Sequence, residues 1–472
     1  MKKFKRLGVV LSAILVTGSL QACGLVENSQ IQEKNVAAAA ETKTKPKNVI
    51  MLVGDGMGIG QVGLAGVLEN GKDGRLFMES LPNVALMHTS SANNIVTDSA
   101  AAGTALATGV KTNNGMIGVD PEGVPVDSLL DKFKNSGKKV GVVTNHPLTD
   151  ATPGAFVGST ADRWTGNEDL ARQILENKVD VALGGGGKYF KPEKQNGVNL
   201  VDSFKEEGYT IVSNKEELKN ASGDKLLGLF NDSYMNYVID RDDISSQEPS
   251  LSEMFNGAIN VLNKGKKGFF LMLEGGRIDH AAHGSDATGI WKETIEFDNA
   301  VKTAVEWAKK DGNTLVVVVA DHETNGISVT ESMKTEELKG ISVSPEFMAK
   351  KLVKDPSTNS YTPGSVISVF KEYAGIDLTD HEVSTFLSKI KDQSGTIYPE
   401  NVVSWIMGSM IAEYYKVGVV SLDVVLSSPT TAGHTANMIP VFAYGPSSEK
   451  FEGVLDNIDI PKIITEISKI KN

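Results

Sequence analysis

Six short runs of apolar residues, with almost no polar alternation inside them, limit what this chain can fold into. They cover residues 48–53, 139–144, 179–183, 269–273, 314–320 and 438–444. A strand with one face in water alternates apolar and polar side chains, whereas a strand covered on both faces does not. Segments with helical spacing separate several of the runs, among them 128–135, 168–177 and 291–309. Buried strands joined by helices predict an α/β fold: a mostly parallel central sheet with helices on both faces. Between 331 and 430 the apolar positions take helical spacing instead, at 345–353, 365–373, 382–390 and 401–415, while 417–426 fits a strand or a helix. This region reads as a largely helical insertion, leaving an α/β body over 47–330 and 431–472 that closes with a helix at 460–470.

The first residues obey other rules. Lys2, Lys3, Lys5 and Arg6 precede an apolar run from Leu7 to Leu20, too short and too weakly flanked to span a membrane. The run ends Leu20-Gln21-Ala22-Cys23, and Cys23 is the sole cysteine. The pattern resembles a bacterial lipoprotein signal. Residues 1–22 are therefore expected to be a signal peptide, Cys23 the lipidated new N-terminus, and 23–46 a polar tether. The plainer alternative is an ordinary cleavage site beside a free cysteine; the unique placement of Cys23 favours lipidation. The expected location is the outer face of a bacterial cell membrane, with part of the population released, and no other membrane contact. A single cysteine permits no internal disulfide. Removing 1–22 takes four cations from a chain of formal charge -12, leaving -16. Such an acidic surface argues against nucleic-acid binding, and any site for a phosphate needs local arginine or metal.

Ligands of parallel sheets bind beyond the carboxyl ends of the strands. Asp55 follows the first run, Asp150 and Thr152 the second, Glu274, Asp279 and His283 the run ending at 273, and Asp321 and His322 the run ending at 320. His434 lies just ahead of the last run. Asp279 and His283, four apart, share one helix face, a common metal-ligand spacing. Mixed carboxylate and imidazole sets suit zinc, while an oxygen-only set with Thr152 suits magnesium. Several such residues at one sheet edge form a polymetal site.

Lone histidines are more often packed or surface residues, and His88, His146 and His381 are read that way. Asp380-His381-Glu382, behind Thr379, is a helix-capping sequence. Gly184-Gly185-Gly186-Gly187-Lys188 misses the phosphate-loop spacing because residue 182 is Ala. Ser99 heads an alanine-rich helix. It either helps Asp98 cap that helix, or attacks a phosphate held by the helix N-terminus.

Six motifs resemble the alkaline phosphatase family, in the family's order: Gly54-Asp55-Gly56-Met57-Gly58, Thr97-Asp98-Ser99-Ala100-Ala101, Asp150-Ala151-Thr152-Pro153, Glu274-Gly275-Gly276-Arg277-Ile278-Asp279-His280 continuing to His283, Ala320-Asp321-His322-Glu323, and Gly433-His434-Thr435. The resemblance does not extend to 331–430, which it leaves as a lid, a dimer arm or a wall of the site. It implies that Ser99 is a nucleophile forming a phosphoserine intermediate. It implies one zinc on Asp55, Asp321 and His322, a second on Asp279, His283 and His434, and one magnesium on Asp55, Thr152 and Glu274. Arg163, eleven after Thr152, would grip the phosphate with two hydrogen bonds, oriented by Asp98. Asp150 and His280 stand where family members vary. Asp150 fits a hold on magnesium's waters, and His280 fits a water-mediated phosphate contact or the third metal site. The implied substrates are small phosphate monoesters, and a homodimer stays open. Two alternatives remain at this point: a diester, phosphonate or sulfate hydrolase of the same superfamily, and a lipoprotein that only binds phosphate or metal, which would not need Ser99.

Overall fold

Every residue of the first strand, β1 (Asn48–Gly54), is buried, as a strand covered on both faces must be. The computed structural model describes residues 45–428 and 430–470, so the signal peptide, Cys23 and nearly all of the tether lie outside the described residues. After β1 come β2 (Asn83–His88), β3 (Lys139–Pro147), β4 (Val181–Gly185), β5 (Thr210–Val212), β6 (Leu226–Leu229), β7 (Phe269–Gly275) and β8 (Thr314–Ala320). Two short strands, β9 (Glu323–Thr324) and β10 (His434–Thr435), precede β11 (Ile439–Tyr444) and β12 (Gly453–Asp456).

Ten of these make one sheet in the order β12-β2-β11-β8-β1-β7-β3-β4-β6-β5, and β9 and β10 form a separate ribbon. All neighbours in the large sheet are parallel except β11, which runs against both β8 and β2. This is the mostly parallel α/β architecture expected. The antiparallel strand is the one run of 438–444, and its direction has a simple cause. The chain reaches it from the β10 ribbon, already at the carboxyl edge of the sheet, with no crossover helix to carry it back first.

Four strands of the large sheet escaped the apolar-run reading. β2 and β12 lie at the sheet's margin, where Val84 and Val454 are exposed; β5 and β6 are three and four residues long. Such strands carry too little periodic signal to stand out.

From Thr335 to Leu426 the regular elements are helices: Thr335–Lys339, Pro345–Lys350, Pro363–Ala374, Asp380–Lys389, Glu400–Tyr415 and Leu422–Leu426. The ambiguous 417–426 is an extended piece, where Gly418 bridges Ser328, followed by the short last helix. Thr379 and Glu382 cap the helix Asp380–Lys389 reciprocally, and His381 is exposed. Gly408 lies directly on the carbonyl of Gly284, and a Cβ there would collide with it. That contact seats the helix Glu400–Tyr415 against the end of the helix Arg277–His283.

Register then sets the site. Gly54 is level with both Gly275 and Ala320, so β1, β7 and β8 end together. Asp55, Gly276 and Asp321 emerge side by side at that edge.

Candidate active site

Ser99 is the first residue of the buried helix Ser99–Thr108, with Asp98 as its cap. Asp98 Oδ1 accepts from Ala101 N at 3.0 Å, and Oδ2 accepts from Gly115 N at 2.9 Å and from Arg163 Nη1 at 3.1 Å. Arg163 Nη2 lies 3.5 Å from Asp150 Oδ1, so two carboxylates orient one guanidinium. Ser99 Oγ is 3.1 Å from His322 Nε2. Ser99, Arg163, Asp55, Asp150, Asp279, His280, His283 and His434 line one cleft of about 630 Å³.

The remaining acids and histidines converge under that cleft. His322 Nε2 lies 3.4 Å from Asp55 Oδ1 and 3.2 Å from Asp321 Oδ2. His283 Nε2 is 3.0 Å from Asp279 Oδ2 and 3.3 Å from His434 Nε2, and His434 Nε2 is 3.6 Å from Asp279 Oδ1. Asp279 and His283 share the helix Arg277–His283 at the predicted four-residue spacing. The β9–β10 ribbon delivers His434, paired with Thr324. Gly56 makes the packing possible: its φ of +68° suits glycine, and a Cβ there would come within 2.8 Å of Asp279 Oδ1.

The histidines are oriented as metal ligands are. His434 Nδ1 meets the carbonyl of Thr97 at 2.9 Å and His283 Nδ1 the carbonyl of Ala432 at 2.8 Å, so each ring donates outward and turns a bare Nε2 inward. His322 Nδ1 is 3.2 Å from Thr324 Oγ1, which itself donates to Asp279 Oδ1 at 2.5 Å. Donor atoms of Asp55, Asp321 and His322 lie within 4.8 Å of one another, as do those of Asp279, His322 and His434, and of Asp55, Glu274 and His146.

Electrostatics tests whether cations fit. Burial, with Asp321 and Asp279 adding to it, pushes the Asp55 carboxyl well above its usual range. Burial takes Glu274 up to about 8 and Asp321 up to about 7, and brings His322 down to about 4. Asp279 is the exception. Burial would raise it, but His283, His434 and His322 hold it well below the ordinary value. Asp55 Oδ1, Asp321 Oδ2, Glu274 Oε1 and Thr152 Oγ1 are buried without a hydrogen-bond partner. Crowded, unsatisfied carboxylates are expensive to bury unless divalent cations neutralise them, so the donor set fits metal ions.

Some residues here had no signal in the sequence. Thr144 donates to Glu274 Oε2 from the neighbouring strand. His146, read as a packed or surface residue, is in fact buried in the site, against His280 and Asp150. The region 331–430 also reaches the cleft. Trp405 stacks on His283 with ring centroids 5.5 Å apart, and Glu346 accepts from Arg277 Nη2 at 3.0 Å, while Arg277 Nη1 meets His280 Nδ1 at 3.0 Å. These contacts join segments far apart in the chain, which spacing rules do not link.

Grouped carboxylate and imidazole donors around a hydroxyl, at the carboxyl edge of a mostly parallel sheet, place the protein among metal-dependent hydrolases. The family description of alkaline phosphatase matches residues 46–470, and the chain belongs to that family. It is 34% identical to alkaline phosphatase 4 of Bacillus subtilis (strain 168), over 96% of this chain and 95% of that one. Identity to alkaline phosphatase 3 of the same organism is 33%, over 98% and 97%. Among solved structures it is similar to the Thermus thermophilus alkaline phosphatase, with a TM-score of 0.80 at 29% identity over 91% of this chain and 92% of that one. A variant of the enzyme from the Antarctic bacterium TAB5, at TM-score 0.64 and 29% identity over 91% and 99%, has Mg bound in its M3 site. Phosphate monoester substrates fit this family.

Proposed function

We propose that the protein is an exported, lipid-anchored phosphomonoesterase that hydrolyses small phosphate monoesters through a phosphoserine on Ser99. The observation that carries the reading is the place of Ser99 Oγ. It sits at the head of a buried helix, 3.1 Å from His322 Nε2, in the cleft that Arg163 lines. Asp55, Asp321 and His322 would hold one zinc, Asp279, His283 and His434 a second, and Asp55, Thr152 and Glu274 a third divalent ion, for which the family resemblance implies magnesium. When bound, these cations supply Lewis acidity and positive charge that favour an ionised hydroxyl and stabilise the phosphate and leaving oxygens.

The chain's own groups do the rest. The Ser99 oxygen attacks phosphorus in line, the ester P–O bond breaks, and the alcohol departs. Arg163, oriented by Asp98 and Asp150, takes non-bridging oxygens on its guanidinium, while the N–H groups at the helix head favour the anion. Water then attacks the phosphoserine, breaking the bond from phosphorus to the serine oxygen and returning the hydroxyl with inorganic phosphate. Asp98 remains a positioning group throughout.

A comparison of p-nitrophenyl phosphate with bis-p-nitrophenyl phosphate tests the reaction class. The monoester is expected to turn over at least about 10²-fold faster, because its extra charge is what the arginine and cation sites are built to meet. Preference for the diester would overturn the reading. The anchor is tested by labelling cells with a fatty-acid probe. The parent should carry the label, and Cys23→Ala should lose it and enter the medium.

A further inference from the structure

The third cation position, which rests on the functional reading above, has a donor that the family resemblance does not supply. His146, in β3, is 2% exposed, and its Nε2 is buried with no hydrogen-bond partner. A ring nitrogen of His146 lies within 4.8 Å of an oxygen of Asp55 and of Glu274, while those two oxygens are equally close to each other. Its Nδ1 faces Asp150 Oδ2 at 3.4 Å, which leaves Nε2 as the free donor. A carboxylate behind one ring nitrogen, with the other nitrogen bare, is how proteins orient imidazoles that bind metals.

The ring cannot easily turn away. His280 packs against it with centroids 4.4 Å apart, and Tyr234 meets it edge-on at 5.0 Å. The third wall is Gly276, where a Cβ would come within 2.5 Å of His146 Cγ. A larger residue at 276 would displace the ring. Beside Nε2, Asp55 Oδ1, Glu274 Oε1 and Thr152 Oγ1 are also buried without partners.

We propose that His146 is a ligand of the third cation, making that position a mixed nitrogen and oxygen site that holds a zinc-class ion in preference to magnesium. Magnesium takes oxygen ligands and keeps its waters, whereas an imidazole nitrogen raises affinity for zinc far more than for magnesium. The alternative is that His146 only steadies Asp150.

The test is metal loading, not turnover. Purified protein stripped with chelator is reloaded in zinc alone and in zinc with a large excess of magnesium, and metals per chain are counted by mass spectrometry. Anomalous diffraction at the zinc edge then locates them. The expected result is three zinc ions per chain, the third within bonding distance of His146 Nε2 and resistant to magnesium. His146→Ala should keep two zinc ions and shift the third position at least tenfold toward magnesium, whereas Asp150→Asn should retain the third zinc. Magnesium at that position in the parent, a third zinc out of reach of His146, or an unchanged preference in His146→Ala would overturn the proposal. The anomalous map of the parent decides it even if a variant does not fold. Two bound zinc ions and normal monoester hydrolysis beside a magnesium-filled third position would sink this inference alone. Failure to hold two zinc ions would take the functional reading down with it.

Discussion

Asp98 and Ser99 show how one dipeptide can be both structural and reactive. The carboxylate of Asp98 caps the helix through one oxygen and holds Arg163 through the other, so the capping and catalytic readings of the motif describe the same geometry. Asp98→Ala should lower stability by about 1 kcal/mol through the lost cap. It should also lower kcat/KM by roughly tenfold through the loosened arginine. Asp98→Asn, which keeps an acceptor for Ala101 N, should restore the melting temperature more than the activity. Ser99→Ala is expected to cut steady-state hydrolysis by about 10³-fold or more with bound metal unchanged, read by initial rates beside metal analysis. A Ser99→Ala protein as active as its parent would remove Ser99 from the nucleophile role. Both residues were legible in the sequence because capping chemistry is local. His146 was not, because nothing within a few residues of it announces Asp55 or Glu274.

At the scale of elements, the level ends of β1, β7 and β8 bring Asp55, Glu274 and Asp321 together, and the β9–β10 ribbon adds His434. The helix Glu400–Tyr415 completes the wall. Its Gly408 touches the Gly284 carbonyl, and three residues earlier Trp405 stacks on His283. Gly408→Leu should therefore push this helix off the body and lower stability by roughly 1–3 kcal/mol, the usual range for overpacking. Because Trp405 would move with it, monoester turnover should also fall, although the substitution touches no proposed ligand. Urea unfolding and initial rates on one preparation check both. Parent-like stability would mean that this contact does not seat the helix. The helices of 331–430 could be read from their periodicity, but not the surface they lie on, because apolar spacing says which face is buried and not against what.

For the molecule as a whole, the acids under the cleft link stability to pH and to metal. Burial raises Glu274 to about 8 and Asp321 to about 7, so without cations the fold keeps protons that the unfolded chain has lost above about pH 4–5. Buried His146, His280, His322 and His434 are held below the usual histidine value and stay neutral, so up to about pH 6.5 the unfolded chain takes up protons on them that offset the carboxyls. Above it the carboxyls alone count, and metal-free protein should lose stability as pH rises from about 6.5 to 8. Cations that bind only the folded state should reverse the trend and release protons as they bind. Calorimetric melting of chelator-treated and metal-loaded protein at both ends of this range checks the sign. A metal-free melting temperature that rises with pH would contradict it.

The sequence by itself determined the α/β class, the helical character of 331–430, and the acids and histidines placed just beyond the buried strands. These follow from periodicity and from chemistry local to each motif, and the family resemblance rests on the same short stretches. Tertiary structure alone decided that β11 runs antiparallel and that β2 and the edge strand β12 extend the sheet beyond it. It also decided that Trp405 and Glu346 reach the cleft, and that a ring nitrogen of His146 comes within 4.8 Å of oxygens of Asp55 and Glu274. Each of these depends on which distant segments are packed together, which one-dimensional spacing does not encode.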